Sequence, residues 1–424
     1  MKSVLIITYY WPPAGGPGVQ RWLKFVKYLP EFGLEPIVYI PENPSYPIID
    51  KTLKDELPEE ITILKQPIRE PFKLANMLSK KRAKTISKGV IPRQDKQNVI
   101  DKLMLYVRGN FFIPDARKGW VAPSVKFLSK YIAENDIKTI ITTGPPHSLH
   151  LIGLRLKEAQ PVKWIADFRD PWTTIGYHKQ LKLTKSSASK HKSLENAVVN
   201  GADQVLVTSE VTKKEFQLIT EKPIHVITNG HDLKPAEKVE LDKKFTMAHI
   251  GSLLSERNPR ILWEVLKELV SENPAFSEAF QLELIGTVSE EVLDTIREHD
   301  LFDHVKVLGY VSHEDAIKYQ RRSQVLLLIE IDSKDTKCII PGKLFEYMVS
   351  NRPILALGPE GSDIADILAE TKTGKYFDYS DRELLKSTII TYFERYKQGE
   401  LLSDCVNTEK YSRRELTRTL AQLI

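Results

Sequence analysis

Lys343 and Glu346 stand three residues apart in Pro341-Gly342-Lys343-Leu344-Phe345-Glu346-Tyr347-Met348. A Pro-Gly turn opens this stretch and Pro353 stops it, so it reads as a short helix before a buried strand at 354–357. Leu344, Tyr347 and Met348 recur at i, i+3 and i+4 and face inward, which leaves Lys343 and Glu346 together on another face. A helix N-terminus offers unsatisfied N–H groups and the positive end of a dipole, which suits a phosphate. A carboxylate one turn in can accept two hydrogen bonds from a diol such as a ribose. The alternative is an ordinary surface i,i+3 ion pair.

Other polar groups stand where apolar runs of the first half stop. Residues 139–142 lead into Thr143-Gly144-Pro145-Pro146-His147-Ser148, where Ser148 suits an N-cap and His147 stands just ahead of it. Residues 163–167 lead into Phe168-Arg169-Asp170-Pro171-Trp172. Residues 3–8 lead into a loop containing Gly15, Gly16 and Gly18. That loop is not a dinucleotide fingerprint, because Arg21 holds the place of the third glycine. Its glycines either let the backbone approach a ligand or make a tight strand–helix turn.

The elements that carry these residues alternate between strand and helix. Predicted strands at 3–8, 36–40, 61–64, 139–142, 163–167, 202–208 and 224–228 give about seven β/α steps. A helix is expected near 194–199, after a basic stretch at 178–192. The polar run 232–244 is the best linker. Strands at 245–250, 282–285, 305–308, 325–329 and 354–357 repeat the plan, each ending in glycine or a polar residue. A helix at 384–398 and an amphipathic tail at 411–424, with Leu416, Leu420 and Leu423, complete the chain. The expected fold is α/β, two Rossmann-like domains facing across a cleft, spanning 1–235 and 236–398, with 399–424 packing back on the first.

With 424 residues, 42% of them hydrophobic, the chain is long enough for two domains. Cys338 and Cys405 are too few for a disulfide framework or a zinc site, which fits a reducing cytoplasm. The short apolar run 4–7 reads as a strand and not as a secretory signal. The net charge of +5 is uneven: residues 65–118 carry 14 Lys/Arg and four acids, 14 − 4 = +10, so the remainder carries 5 − 10 = −5. That insert interleaves its charges, among them Lys80, Lys81, Arg82 and Lys84, with Leu74, Met77, Leu78, Ile86, Leu103, Met104, Tyr106, Val107 and Phe111. It is read either as a surface for an anionic membrane or as a solvated helical hairpin. No nucleic-acid partner is expected.

The order of these parts resembles the retaining glycosyltransferases of family 4, which have the GT-B fold. The resemblance runs along essentially the whole chain. It rests on Tyr10-Trp11-Pro12-Pro13-x-Gly15-Gly16, Ala166-Asp167-Phe168-Arg169-Asp170-Pro171-Trp172, Ala202-Asp203-x-Val205-x-Val207-x-Ser209, Asn229-Gly230, His249-Ile250-Gly251-Ser252 and the stretch 341–348. It implies a nucleotide-sugar donor on the second domain, with Glu346 on the ribose and the backbone at Gly342 and Leu344 on the diphosphate. Gly251 and Ser252 follow the first strand of that domain, with Ser252 where the family usually has an arginine. Arg257 is the nearest match to the family lysine, and Lys343 supplies a second charge. Tyr310 and Val311 resemble the base-reading loop. Gly15 and Gly16 match a loop near the donor phosphates and the acceptor.

His147 matches a histidine near the transferred sugar; its alternative is a solvent-exposed residue at a helix start. Asp167, Arg169 and Asp170 either bind the acceptor or form an ion-paired anchor. The resemblance thus implies His147, Arg257 and Lys343 as catalytic residues, with no protein nucleophile, no metal and no cofactor. One departure is plain. Of two family glutamates eight positions apart, the second is Glu346 and the first falls on Cys338, with Glu330 or Asp332 as possible substitutes. The implied activity is a hexosyltransferase acting on a glycan or lipid-linked acceptor in cell-surface polysaccharide synthesis. It would be cytoplasmic, or peripheral on the inner face of the membrane. The alternatives are a sugar-nucleotide epimerase of the same fold and a non-catalytic nucleotide-binding relative.

Overall fold

The structure is a computed structural model that describes residues 1–58, 60–70, 99–232 and 239–424. Leu74, Met77, Leu78, Lys80, Lys81, Arg82, Lys84 and Ile86 of the basic insert lie outside the described residues, as do 233–238 of the predicted linker. The chain divides into two compact units, Met1–Thr228 with Arg413–Ile424, and Asn229–Ser412.

In the first unit, β1 (Lys2–Ile7), β2 (Leu34–Pro41), β3 (Thr62–Gln66), β4 (Thr139–Gly144), β5 (Lys163–Phe168), β6 (Gln204–Val207) and β7 (Ile224–Val226) form a parallel sheet in the order β3-β2-β1-β4-β5-β6-β7. Successive side chains of a strand point to opposite faces. Accordingly Leu5 and Ile7 enter one core with Leu149, Ile152 and Trp164, while Val4 and Ile6 enter another with Val19, Trp22 and Val26. The second core also takes Leu420 and Ile424, so the Arg413–Leu423 helix packs in this unit beside the Pro17–Tyr28 helix.

The second unit repeats the plan with β8 (Phe245–Ile250), β9 (Phe280–Ile285), β10 (Val305–Gly309), β11 (Val325–Ile329), β12 (Ile354–Leu357) and β13 (Gly374–Phe377), in the order β10-β9-β8-β11-β12-β13. Every residue of β11 is fully buried. Burying each such aliphatic side chain contributes about 1.5–3 kcal/mol before the entropy of ordering it is counted. In both sheets the strand order reverses direction once, between β1 and β4 and between β8 and β11. Ligands of open α/β sheets bind beyond the carboxyl ends of the strands at such points. The residues beyond these four ends therefore carry the candidate chemistry.

Three sequence expectations change. Residues 185–192 of the basic stretch and the short helix after it are one helix, Lys185–Gly201, capped by Thr184 accepting from the Ser187 N–H. β13 was not expected, because as an edge strand it buries only Phe377. Ser148 is the first residue of the Ser148–Ala159 helix and not its cap. Its N–H and hydroxyl both donate to Asp115, each at 2.8 Å, so a carboxylate 33 residues earlier caps the helix.

Candidate active site

The second unit gathers its polar groups beyond β8 and β11. Lys343, in the first turn of the Gly342–Met348 helix, does not pair with Glu346. Its Nζ lies 3.4 Å from the Ile250 carbonyl and 3.5 Å from Nε2 of the fully buried His249. Tyr347 ties the same helix to the end of β8, its hydroxyl 3.1 Å from the Ile250 N–H and 3.3 Å from the Ile250 carbonyl. Burial and the charge of Arg257 lower Lys343, the charge of Glu330 raises it, and the net result is about 8. Burial and Lys343 hold His249 well below its ordinary value, so its imidazole is neutral near pH 7. Gly251, at φ 123°, turns the chain beside this ammonium; a Cβ there would lie 3.5 Å from Nζ. Ser252 follows, exposed.

Arg257 stands in the Ser255–Arg257 turn, with Nη2 3.4 Å from Oε2 of Glu330. Glu330 follows β11 directly and is 3% exposed. The second resemblance-based candidate for the missing carboxylate, Asp332, is exposed, while Cys338 is buried. Glu346 accepts from Gln320 Nε2 at 3.1 Å and has His313 Nε2 at 3.9 Å. Sequence reasoning missed both partners. Their spacing of seven on the helix His313–Arg322 puts them on one face and was the available signal.

Leu344 is corrected. Its side chain is core and its N–H already donates to the Pro341 carbonyl at 3.0 Å, so it has no donor to offer a diphosphate. The helix is only seven residues long. The charge for a phosphate must therefore come from side chains more than from a helix end. Gly342 has open space where a Cβ would sit. Tyr310 is 90% exposed, and Val311 packs on the cluster that contains Leu344.

In the first unit, Asp167 is corrected from an acceptor ligand to an anchor. It is fully buried and accepts four hydrogen bonds: from Arg21 Nη2 at 2.9 Å and Nε at 3.4 Å, from Trp22 Nε1 at 2.8 Å and from Thr143 Oγ1 at 2.8 Å. Burial pushes its carboxyl up, but the Arg21 charge and these bonds outweigh that and leave it below its ordinary value. Arg21 also donates to the Thr228 carbonyl, which ties the end of the unit to β5. Gly15 and Gly16 have local reasons to be glycine. A Cβ at Gly15 would meet Ile48 Cγ2 at 2.8 Å, and Gly16 holds φ 97° as the cap of the Pro17–Tyr28 helix.

His147 is not solvent-exposed. It stands at the N-cap position of the Ser148–Ala159 helix without a capping hydrogen bond, is 6% exposed and stacks on Trp172 with centroids 4.8 Å apart. Neither ring nitrogen has a hydrogen-bond partner among the described residues. Burial, with His150, His178 and Arg169 nearby, holds it well below its ordinary value. A neutral imidazole in this state can donate from one nitrogen and accept at the other. Arg169 lies over the Tyr10 ring at 5.7 Å and donates to the Pro145 carbonyl. Gly18 leaves it room, since a Cβ there would come within 2.2 Å of Arg169 Nη1. Asp170 is half-buried; burial raises its carboxyl against the lowering charge of Arg169. Arg117, which sequence reasoning missed, lies over the neighbouring Tyr9 ring at 4.7 Å and pairs with Glu70 at 3.1 Å.

Residues 90–234 match the family model described as Glycosyltransferase Family 4. Over these residues the chain is glycosyltransferase family 4-like. The activity class that goes with this segment is glycosyl transfer. No curated protein matches the sequence. Solved structures similar to the chain include a sucrose-phosphate synthase from Thermosynechococcus elongatus. It is 13% identical, with a TM-score of 0.62 over 100% of this chain and 98% of that one. A TarM variant from S. aureus, in complex with Fondaparinux, alpha-GlcNAc-glycerol and UDP, is 13% identical, with a TM-score of 0.60 over 100% and 99%. A putative UDP-N-acetylglucosamine 2-epimerase from Listeria monocytogenes is 12% identical, with a TM-score of 0.53 over 99% and 95%. Likeness at such identities establishes the fold, two Rossmann-like domains of the GT-B type. The family-matched segment holds His147, Arg169 and Asp170, whereas Arg257, Lys343 and Glu346 lie outside it.

Proposed function

We propose that this chain moves a sugar from a nucleotide-diphosphate donor to a glycan or lipid-linked acceptor, with retention, as a hexosyltransferase of cell-surface polysaccharide synthesis. The observation that carries the reading is the group Arg257, Lys343 and Glu330 beyond β8 and β11, with Glu346 one helical turn after Lys343. Bond cleavage at the donor places growing negative charge on the departing diphosphate. Fixed cations beside it stabilise that charge without reorganising. Arg257 and Lys343 serve this role, and Glu346, oriented by Gln320, takes the ribose hydroxyls. The transition state is oxocarbenium-like, with positive charge on the sugar. His147, neutral and with both nitrogens unpartnered among the described residues, hydrogen-bonds the sugar. Arg169 and Asp170 meet the acceptor. No residue is assigned as a covalent nucleophile and no metal is invoked.

An anionic membrane surface suits a lipid-linked acceptor. The Val99–Phe111 helix exposes Leu103 (60%), Tyr106, Val107 and Phe111 (63%) within the basic insert. No helix among the described residues is long and apolar enough to cross a membrane. The test is to incubate the protein with UDP-, GDP- and ADP-sugars, with and without a membrane extract, and to follow the products by NMR. Donor consumption that requires the extract, giving a glycoside of unchanged anomeric configuration, is expected. A converted sugar nucleotide without extract would make the protein an epimerase. Binding without any consumption would make it a non-catalytic relative.

A further inference from the structure

The helix Lys185–Gly201 buries three polar side chains on one face, Ser187, His191 and Glu195, spaced four apart. Burying a histidine or a carboxylate is costly unless it finds a partner. His191 and Glu195 both find theirs on the loop that follows β5. Glu195 accepts from the Thr173 N–H at 3.0 Å and from the Thr173 hydroxyl at 2.5 Å. His191, 1% exposed, accepts at Nδ1 from the Trp172 indole N–H at 3.1 Å. An indole N–H only donates, so Nδ1 holds a lone pair and the imidazole proton sits on Nε2. Burial lowers His191, the Gly109 backbone and Asp115 raise it, Lys190 lowers it, and the net direction is down. The lone pair is therefore kept near pH 7.

The other face of this contact is His147. Its ring lies parallel to that of Trp172, at 4° and 4.8 Å between centroids, while Phe168 and His150 are each tilted from it at 5.9 Å. Neither His147 nitrogen is hydrogen-bonded among the described residues, so ring contacts and not hydrogen bonds set where those nitrogens point. Trp172 is itself 1% exposed, and its one polar side-chain atom is held by His191. His178 stands edge-on to His191 at 4.6 Å on another side. An apolar side chain at position 191 could fill this space; what histidine adds is an acceptor that selects one orientation of the indole. We infer that His191 is a positioning residue for sugar transfer: by accepting from the Trp172 indole it fixes the ring on which His147 stacks, and so sets the direction of the His147 nitrogens. The inference rests on the assignment of His147 to the sugar. Glu195 serves the same end by pinning Thr173, the next residue of the loop.

The test compares wild type, His191→Leu and His191→Asn in the full chain. Leucine fills the space without an acceptor, whereas asparagine can place Oδ1 where Nδ1 stands. Two quantities are read. The first is the NMR signals of the Trp172 indole N–H and the His147 ring, in protein labelled at tryptophan and histidine and assigned from Trp172→Phe and His147→Gln. The second is kcat and KM with UDP-, GDP- and ADP-sugars and a membrane extract. In His191→Leu both sets of signals move, and kcat falls by between about tenfold and a hundredfold, the scale of a misplaced group in a site. KM for the donor stays within about twofold, because the nucleotide is held by the second unit. His191→Asn returns the His147 signals and kcat toward wild type. Unmoved His147 signals in His191→Leu, or a loss there that falls on KM, or no recovery in His191→Asn, overturns the inference and leaves the assignment of His147 standing. Wild-type kcat in His147→Gln, or a wild type that consumes no donor, strikes that assignment itself and the inference with it.

Discussion

Replacing Asp167 by alanine separates an anchor from an acceptor ligand. The substitution removes the acceptor of four buried hydrogen bonds and leaves Arg21, whose side chain is 1% exposed, without its counter-charge. Breaking a buried ion pair from one side costs about 3–5 kcal/mol. At roughly 2–4 °C per kcal/mol for a domain of this size, the first unit should melt about 6–20 °C lower. Asp170, half-buried one loop further on and held above its ordinary value by burial, serves as the comparison; Asp170→Asn should shift stability by less than about 1 kcal/mol. Differential scanning fluorimetry and urea denaturation both read the difference. If Asp167→Ala melts within about 2 °C of wild type and instead raises KM for an acceptor, the anchor reasoning fails and the carboxylate belongs to the acceptor site.

Other outcomes follow from the charges and surfaces. Lys343 loses its proton at about 8, so a diphosphate that needs its charge should bind steadily below that pH and lose roughly tenfold in affinity per unit above it. Lys343→Arg, always charged, should abolish the dependence, and a flat profile in the wild type would remove Lys343 from the site. Burial holds His150 at about 3 and His178 at about 4, below the unfolded value near 6.5. The unfolded chain therefore binds more protons below pH 6.5, and stability should fall as pH drops from 6.5 toward 4, by up to about 1.4 kcal/mol per unit for each. Equal urea midpoints at pH 7 and pH 5 would contradict this. Leu103→Glu with Phe111→Glu should reduce sedimentation with phosphatidylglycerol vesicles, as should charge reversal at Lys80, Lys81, Arg82 and Lys84. Unchanged sedimentation in both would refute the membrane surface.

The central strands were legible because they are wholly or mostly apolar runs buried along their length: Phe245–Ile250, Val325–Ile329 and Ile354–Leu357 have the bounds read from sequence. The helix Lys185–Gly201 was not, because three of its five buried residues, Ser187, His191 and Glu195, are polar, and an apolar period cannot report them. β13 was hidden for a related reason, since an edge strand with Gly374, Lys375 and Tyr376 only partly covered lacks a core signature.

At the candidate site, sequence located the strand ends but not the partners. Lys343 and Glu346 share a helix face by spacing, yet each reaches a different element, His249 and Ile250 for one and Gln320 for the other. Asp115 capping Ser148, and Arg21 holding Asp167, are contacts across 33 and 146 residues that no local pattern encodes.

Transfer from a nucleotide-sugar donor requires that the second domain grip a nucleotide diphosphate. Calorimetry of UDP, GDP and ADP with the wild type and Glu346→Ala addresses it directly. One of these nucleotides should bind the wild type, and Glu346→Ala should weaken that binding by tenfold or more, the worth of about 1.5–3 kcal/mol for hydrogen bonds to a charged group. Equal affinity in the two proteins would contradict the assignment of Glu346 and with it the donor site.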